Sequence, residues 1–277
     1  MDYLLFRRQS ESSFIPRLTD PPQADRGHSS FTPWKLEQNE RTNFERFVLF
    51  LYTLGCRDMN SYFFFQKMTP IAELLLKHTA VRVSLDPPFE WTSGIVSPVY
   101  CDNRLMTGFT EPRQQIVSAL VQKIRSSNLK PEVIAGTATA AISWAAFVAA
   151  ELDLPMVYIR PEPKKHGSKK QIEGYLAVNS KVVLIEDLIS TAGSSVKSAA
   201  ALRDEGQSAV LGIVSIMNWE LPQAEAALRA ANLEAISLTG FSEIIPLAVE
   251  RGDISEEESE RILQFRADPE NWAKKFL

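Results

Sequence analysis

Between residues 133 and 216, short apolar runs predict β-strands. Each run is too short for a helix and rich in β-branched residues. The runs are Val133–Ala135, Met156–Ile159, Val182–Ile185 and Val210–Ile216. Because these runs are apolar on both faces, we expect them to form a parallel sheet that is covered on both sides.

Helical patterns lie between and before these runs. Apolar residues recur at the spacing of one helical face over 142–152 and over 196–202, and the second of these helices is expected to stop at Gly206. Upstream, Glu111 opens a helix with apolar positions 116, 120 and 124. Thr69 is expected to cap a further helix, with Pro70 in its first position. The predicted fold class is α/β, a central, mostly parallel sheet flanked by helices.

Residues 1–67 have a different character. They contain scattered prolines and an aromatic cluster at 62–65, without a sustained period of either kind. We expect an N-terminal extension of unknown role that is poorly ordered, followed by one domain over 68–277. Met68 could itself be an initiator. The alternative is that the aromatic residues of 47–65 pack onto the domain or form a site for a partner.

Charge and cysteine usage narrow the functional classes. The net charge of −4 argues against a general nucleic-acid binder, which needs an excess of cations to replace phosphate counterions. Cys56 and Cys101 form no CxxC pair, so we expect no disulfide framework or zinc site and a reducing, cytoplasmic location. The apolar run 47–56 is too short to span a bilayer, so no membrane association is expected.

The strongest local motif is VVLIEDLISTAGSS, at residues 182–195. An apolar strand ends in Glu186 and Asp187, a turn of small and hydroxyl residues follows, and then a helix begins. Ligands of open parallel sheets bind at the carboxyl ends of the strands, and the free N–H groups of such a turn suit a phosphate. Ionised acids just before the turn can accept hydrogen bonds from ribose hydroxyls and stabilise cationic character at the anomeric carbon.

Two other interpretations of this motif are weaker. An ordinary helix start with acidic residues favouring its dipole would place the acids in the first helical turn, and here they precede it. A dinucleotide fold would show GxGxxG after an early strand, with an acidic residue about twenty positions after that turn.

Segment 186–194 resembles the motif that binds phosphoribosyl pyrophosphate (PRPP) in the orotate phosphoribosyltransferase family. Three further segments agree, in the order found in that family. IAGTATAA at 134–141 resembles its pyrophosphate loop, YIRPEPKKHG at 158–167 its catalytic lid, and FEWTSGIVSPVYCDNRLM at 89–106 the loop that holds the base. The resemblance runs from about Met68 to the C-terminus and implies a type I phosphoribosyltransferase fold with a small hood over the site.

The resemblance also implies roles for individual residues. Lys164 and His166 would be catalytic and, with Arg160, would bind the diphosphate of PRPP. Glu186 and Asp187 would hold the ribose hydroxyls. Thr191, Ala192, Gly193 and Ser194 would bind the 5-phosphate, Ser190 would contact orotate, and Leu188 and Ile189 belong to the same PRPP segment. Magnesium would be bound through PRPP and water, without a direct protein ligand.

The lid segment supports this interpretation through its own composition. Several cations lie among glycines, serines and prolines over 160–174, which is typical of a solvated surface loop in an arbitrary protein. Beside a phosphate site, such a loop can close over a diphosphate leaving group and neutralise its growing charge. The family further implies a homodimer in which the lid reaches the neighbouring subunit's site.

The sequence departs from the family pattern at positions 96, 143, 161 and 192. Pro161 and Val96 stand where relatives often carry a lysine, Ser143 where a proline is common, and Ala192 where a glycine is usual. These departures bear on affinities more than on activity.

Two other functions are compatible with the motif. One is transfer to another base, such as a purine. The other is a non-catalytic regulator that senses PRPP. Lys164 and His166 argue against a regulator, which has no use for a leaving-group lid, and residues 1–67 show no helix-turn-helix pattern or basic stripe.

Overall fold

A computed structural model describes residues 70–91, 94–163 and 170–276 of the protein. The residues group into eight α-helices, ten strands and one 3₁₀ helix within these ranges. The helices are α1 (Ile71–Lys77), α2 (Thr110–Ser126), α3 (Ala141–Leu152), α4 (Gly193–Asp204), α5 (Pro222–Ala230), α6 (Phe241–Glu250), α7 (Glu256–Ala267) and α8 (Trp272–Phe276). The 3₁₀ helix spans Asn103–Gly108.

The strands divide into one large sheet and two small antiparallel pairs. The small strands are β1 (Val81–Val83), β2 (Phe89–Glu90), β3 (Val96–Ser97) and β4 (Val99–Cys101). The large sheet contains β5 (Val133–Thr137), β6 (Met156–Ile159), β7 (Ile172–Glu173), β8 (Lys181–Ile189), β9 (Ala209–Asn218) and β10 (Ala235–Gly240). Its order is β10-β9-β8-β5-β6-β7, and all pairs are parallel except β6–β7.

This architecture confirms the predicted α/β fold with a mostly parallel central sheet. The four apolar runs lie within β5, β6, β8 and β9, and most of their residues are buried, as expected for a sheet covered by helices. At position 70 the prediction is wrong by one residue: Pro70 is the N-cap of α1, with extended backbone, and the helix begins at Ile71.

The sheet is joined to helix α3 by a close contact at Gly136 in β5. A Cβ on this glycine would lie 2.8 Å from the Cβ of Ala145 and 2.9 Å from the carbonyl oxygen of Ala141. Only glycine therefore lets α3 approach β5 this closely. The approach fixes the loop between them, residues 138–140, at the carboxyl edge of the sheet.

An aromatic cluster supports the segment 89–106. The Trp91 ring lies 6.2 Å from Trp219, which follows β9, and 5.6 Å from Phe265 in α7. Phe265 in turn meets Trp272 of α8 edge-on at 5.8 Å. The Trp91 indole also donates a hydrogen bond to the Val99 carbonyl at 2.9 Å. The C-terminal helices thus hold the β2–β3 hairpin in place through ring packing.

Candidate active site

The acidic pair lies inside β8, not at its end. The sequence predicts a strand that ends in Glu186 and Asp187, whereas β8 continues for two more residues, Leu188 and Ile189. The extension follows from pairing with β9, which reaches Ile189↔Asn218. Backbone hydrogen bonds to a longer neighbour carry the strand through two polar residues, and Ile189 is fully buried there.

The turn after β8 has the geometry of an anion site. Ala192 adopts the left-handed conformation, with φ 62°, and precedes α4 without a capping side chain. The first N–H groups of a helix have no intrahelical acceptor, so those of α4 are available to a ligand. Thr191, Gly193 and Ser194 are exposed around them. This turn can therefore receive a phosphate.

Glu186 is held in the wall of the site by two hydroxyls. Its side chain is 3% exposed, and its carboxylate accepts hydrogen bonds from Ser195 at 2.9 Å and Ser194 at 3.3 Å. Burial, followed by the charge of Asp187, raises the pKa of Glu186 to about 8. Burial and the neighbouring charge therefore favour the protonated form of Glu186, whereas the sequence-based interpretation took both acids as ionised.

Asp187 is less enclosed and lies on the adjacent position of β8. Burial raises the pKa of its carboxyl above the ordinary value. Its backbone carbonyl accepts a hydrogen bond of 2.6 Å from the Asn103 amide, 84 residues away in sequence. This bond links the end of segment 89–106, the predicted base-holding loop, to the acidic pair.

The predicted pyrophosphate loop reaches the same edge of the sheet. It follows β5, whose last residue, Thr137, is buried, with 5% of its surface exposed. The peptide bond between Ala138 and Thr139 is cis. Because β5 is the neighbour of β8, this loop and the phosphate turn emerge side by side.

Arg160 lies between the end of β6 and the predicted lid. Its N–H donates to the Gln171 carbonyl at 3.0 Å, and its guanidinium lies 3.7 Å from the Glu173 carboxylate. The guanidinium Nε is buried and lacks a partner among the described residues. Arg160 directly follows β6 and is therefore at the carboxyl edge of the sheet. Lys164 and His166 lie outside the described residues.

Sequence reasoning missed two residues that shape this site. Ser195 lies one position past the predicted phosphate segment, and its hydroxyl faces Glu186 because it is in the first turn of α4. A hydroxyl residue near the start of a helix is only a weak sequence signal for such a contact. Asn103 lies within the quoted base-loop segment, but no local pattern indicates its distant partner.

The described part of the chain shows neither a cluster of metal-ligating side chains nor a membrane-spanning helix. Within residues 70–91, 94–163 and 170–276, no three or more His, Cys, Asp or Glu side chains gather as they would around a metal ion. None of the helices in these ranges combines the length and apolar character needed to cross a bilayer.

Known proteins share both the sequence and the fold of this chain. A family model for the phosphoribosyl transferase domain matches residues 110–229. An orotate phosphoribosyltransferase of Coxiella burnetii is 42% identical over 204 residues, which cover 74% of this chain and 97% of that protein.

Solved structures agree with this similarity. Orotate phosphoribosyltransferase from Aeropyrum pernix is 28% identical with a TM-score of 0.56, and the match covers 66% of this chain and 98% of that one. Leishmania donovani UMP synthase is 25% identical with a TM-score of 0.60. The match covers 71% of this chain, which spans only 41% of that longer protein. On the strength of these similarities, the chain belongs to the orotate phosphoribosyltransferase family.

Proposed function

We propose that this chain transfers the 5-phosphoribosyl group of PRPP to orotate, releasing pyrophosphate and forming orotidine 5′-phosphate, the precursor of UMP in pyrimidine biosynthesis. The observation that carries the proposal is the acidic pair of β8 followed, after residues 188–192, by an uncapped helix start. The first element suits the ribose hydroxyls of PRPP and the second suits its 5-phosphate. The orotate phosphoribosyltransferase relatives favour orotate as the base.

In the proposed reaction, a ring nitrogen of orotate attacks the anomeric carbon of PRPP as the bond to the pyrophosphate oxygen breaks. The configuration at that carbon inverts, and no covalent enzyme intermediate is needed. Because orotate can give its ring proton to solvent as it binds and attack in the deprotonated form, no general base from the protein is required. Catalysis then depends on positioning and on stabilising the charges that develop.

The residues divide this work by position. Glu186, with its proton, can donate one hydrogen bond and accept another from the ribose hydroxyls, while Asp187 can accept from them and stabilise positive charge at the anomeric carbon. The N–H groups and hydroxyls of 191–194 hold the 5-phosphate, and Ser190 contacts orotate. Arg160, Lys164 and His166 neutralise the departing pyrophosphate.

Magnesium fits this arrangement as an ion carried by the substrate. Glu186 and Asp187 are paired carboxyl groups that could hold its water ligands, and oxygen donors are those magnesium prefers. When bound, magnesium would offset the negative charge of the diphosphate. We further propose a cytoplasmic homodimer in which the lid of one subunit covers the site of the other.

The proposal is tested by offering the purified protein several bases together with PRPP and magnesium. Orotate should be consumed with release of equimolar orotidine 5′-phosphate and pyrophosphate, while adenine, hypoxanthine and uracil should react far more slowly. Faster turnover of a purine than of orotate would move the assignment to another base. Binding of PRPP without turnover of any base would favour a regulator.

A further inference from the structure

Asn103 connects two parts of the site that are distant in sequence. Its side chain is fully buried at the start of the 3₁₀ helix, and its amide nitrogen donates a 2.6 Å hydrogen bond to the backbone carbonyl of Asp187. The pairing of β8 with β5 ends at Ile185, so Asp187 lies beyond the last partner that β5 offers. The Asn103 amide takes the place of a strand neighbour at this point.

The turn around Asn103 is fixed on both sides. The Asp102 N–H donates to the Ala80 carbonyl at 2.7 Å. The Asp102 carboxylate accepts from the backbone N–H of Arg104 at 3.2 Å and from its guanidinium at 2.6 and 3.0 Å. An amide held in a turn of this kind has little freedom, so its hydrogen bond sets the distance between the base-loop segment and β8.

The carbonyl oxygen of the Asn103 side chain indicates that Asn103 does more than stabilise the fold. Its carbonyl oxygen Oδ1 is buried and has no hydrogen-bond partner among the described residues. A buried acceptor without a partner lowers stability, and folded proteins keep few of them. Such a group is expected where a residue serves the site as well as the fold.

We propose that Asn103 is a positioning residue that holds Asp187 at a fixed place relative to segment 89–106, the predicted base-holding loop. This inference rests on the proposed function. In it, Asp187 presents the ribose while segment 89–106 presents the base, and the bond from Asn103 fixes the approach of the attacking nitrogen to the anomeric carbon. Asn103 acts through Asp187 and need not touch either substrate.

The test is a double-mutant cycle in the full-length protein. Asn103→Ala should lower kcat by about ten- to a hundredfold, because small displacements of reacting groups cost rate steeply. KM for the two substrates should change much less. In an Asp187→Asn background the same substitution should add less than about a twofold loss, since the carboxylate that it positions is already missing. Losses that multiply independently would overturn the proposal.

An isosteric variant separates positioning from packing. Asn103→Asp keeps the shape of the side chain, and only its protonated carboxyl can donate to the Asp187 carbonyl. Its activity relative to wild type should therefore rise as the pH is lowered, while Asn103→Ala shows a constant deficit. A ratio that does not change with pH would contradict the proposal, and this variant remains informative if Asn103→Ala fails to fold.

Ser180→Ala is the matched control. The Ser180 hydroxyl is also buried and also donates to a backbone carbonyl, that of Ala177 at 2.7 Å, but at the opposite end of β8. It should lose thermal stability without losing kcat. A wild-type protein without activity would contradict the proposed function itself. An active wild-type protein together with normal kcat in both Asn103 variants would contradict only the proposed role of Asn103.

Discussion

A single backbone angle shapes the phosphate turn. Ala192 holds φ 62°, a region that costs most residues about 1 kcal/mol and that glycine occupies freely. The departure from the usual glycine therefore keeps the turn's shape at a cost in stability. The Ala192 side chain is 2% exposed, so packing offsets part of that cost.

The buried proton of Glu186 makes a prediction about stability and pH. Its pKa is raised from 4.5 to about 8, so between these values the folded chain holds a proton that the unfolded chain has released. This group's contribution to the free energy of unfolding therefore falls as the pH rises through that window. A glutamine side chain at this position cannot titrate, so Glu186→Gln should gain stability relative to wild type on going from acidic to alkaline solution.

Urea unfolding of the two proteins at about pH 5 and about pH 9 measures this effect, which should reach the order of a few kcal/mol. The comparison cancels the titration of shared groups that do not interact with Glu186, while that of Asp187, its coupled neighbour, remains part of the measured effect. A stability difference that stays constant between the two pH values would show that Glu186 is ionised throughout.

At the scale of elements, the lid segment carries a prediction of its own. Lys164→Ala and His166→Ala should each lower kcat by on the order of a hundredfold, because they act on charge that develops as pyrophosphate leaves. Their effect on KM for PRPP should be smaller. Lys181→Ala removes an exposed lysine at the amino end of β8, opposite the site, and is the matched control. Normal kcat with a raised KM would make the lid a binding element only.

Mixing two inactive variants tests which site the lid serves. If it reaches the neighbouring subunit, a hybrid of Lys164→Ala and Asp187→Asn subunits has one site with both groups intact and recovers activity. Absence of recovery after verified subunit exchange would place the lid over its own subunit's site.

The sequence predicts best the elements in which most residues are buried. The centres of β5, β6, β8 and β9 and the helices between them follow from apolar runs and periodicity. The ends of β8 do not, because strand pairing with β9 extends it across charged residues. The short strands β1–β4 also leave no periodic signal, since two or three residues cannot show one.

In the candidate site, too, some features follow from local sequence patterns and others only from tertiary packing. The phosphate turn and Arg160 directly follow strands, and the acidic pair lies near the carboxyl end of β8. All three carry local motifs, so their common edge of the sheet can be predicted. The contact of Asn103 with Asp187 and the raised pKa of Glu186 arise from tertiary packing. No pattern of neighbouring residues contains that information.

At the scale of the whole molecule, we propose that the domain over 68–277 is sufficient for catalysis. Residues 1–67 lie outside the described part of the chain, so the extension predicted from sequence stays a prediction. A shortened protein beginning at Met68 should fold, dimerise and keep kcat and KM within about a factor of two, less than roughly 0.5 kcal/mol in transition-state stabilisation. Thermal unfolding and steady-state kinetics of both lengths check this. Aggregation or loss of most activity would make the extension part of the working enzyme.

The central claim is that the acidic pair of β8 is where PRPP is held while orotate attacks it. The most direct measurement is kcat/KM for PRPP of Asp187→Asn with orotate as acceptor, beside wild type and Ser180→Ala. The variant should lose on the order of a hundredfold or more, in both binding and rate, because a preorganised charge next to the reacting carbon is removed. The control should stay near wild type. A value for Asp187→Asn within about twofold of wild type would contradict the account.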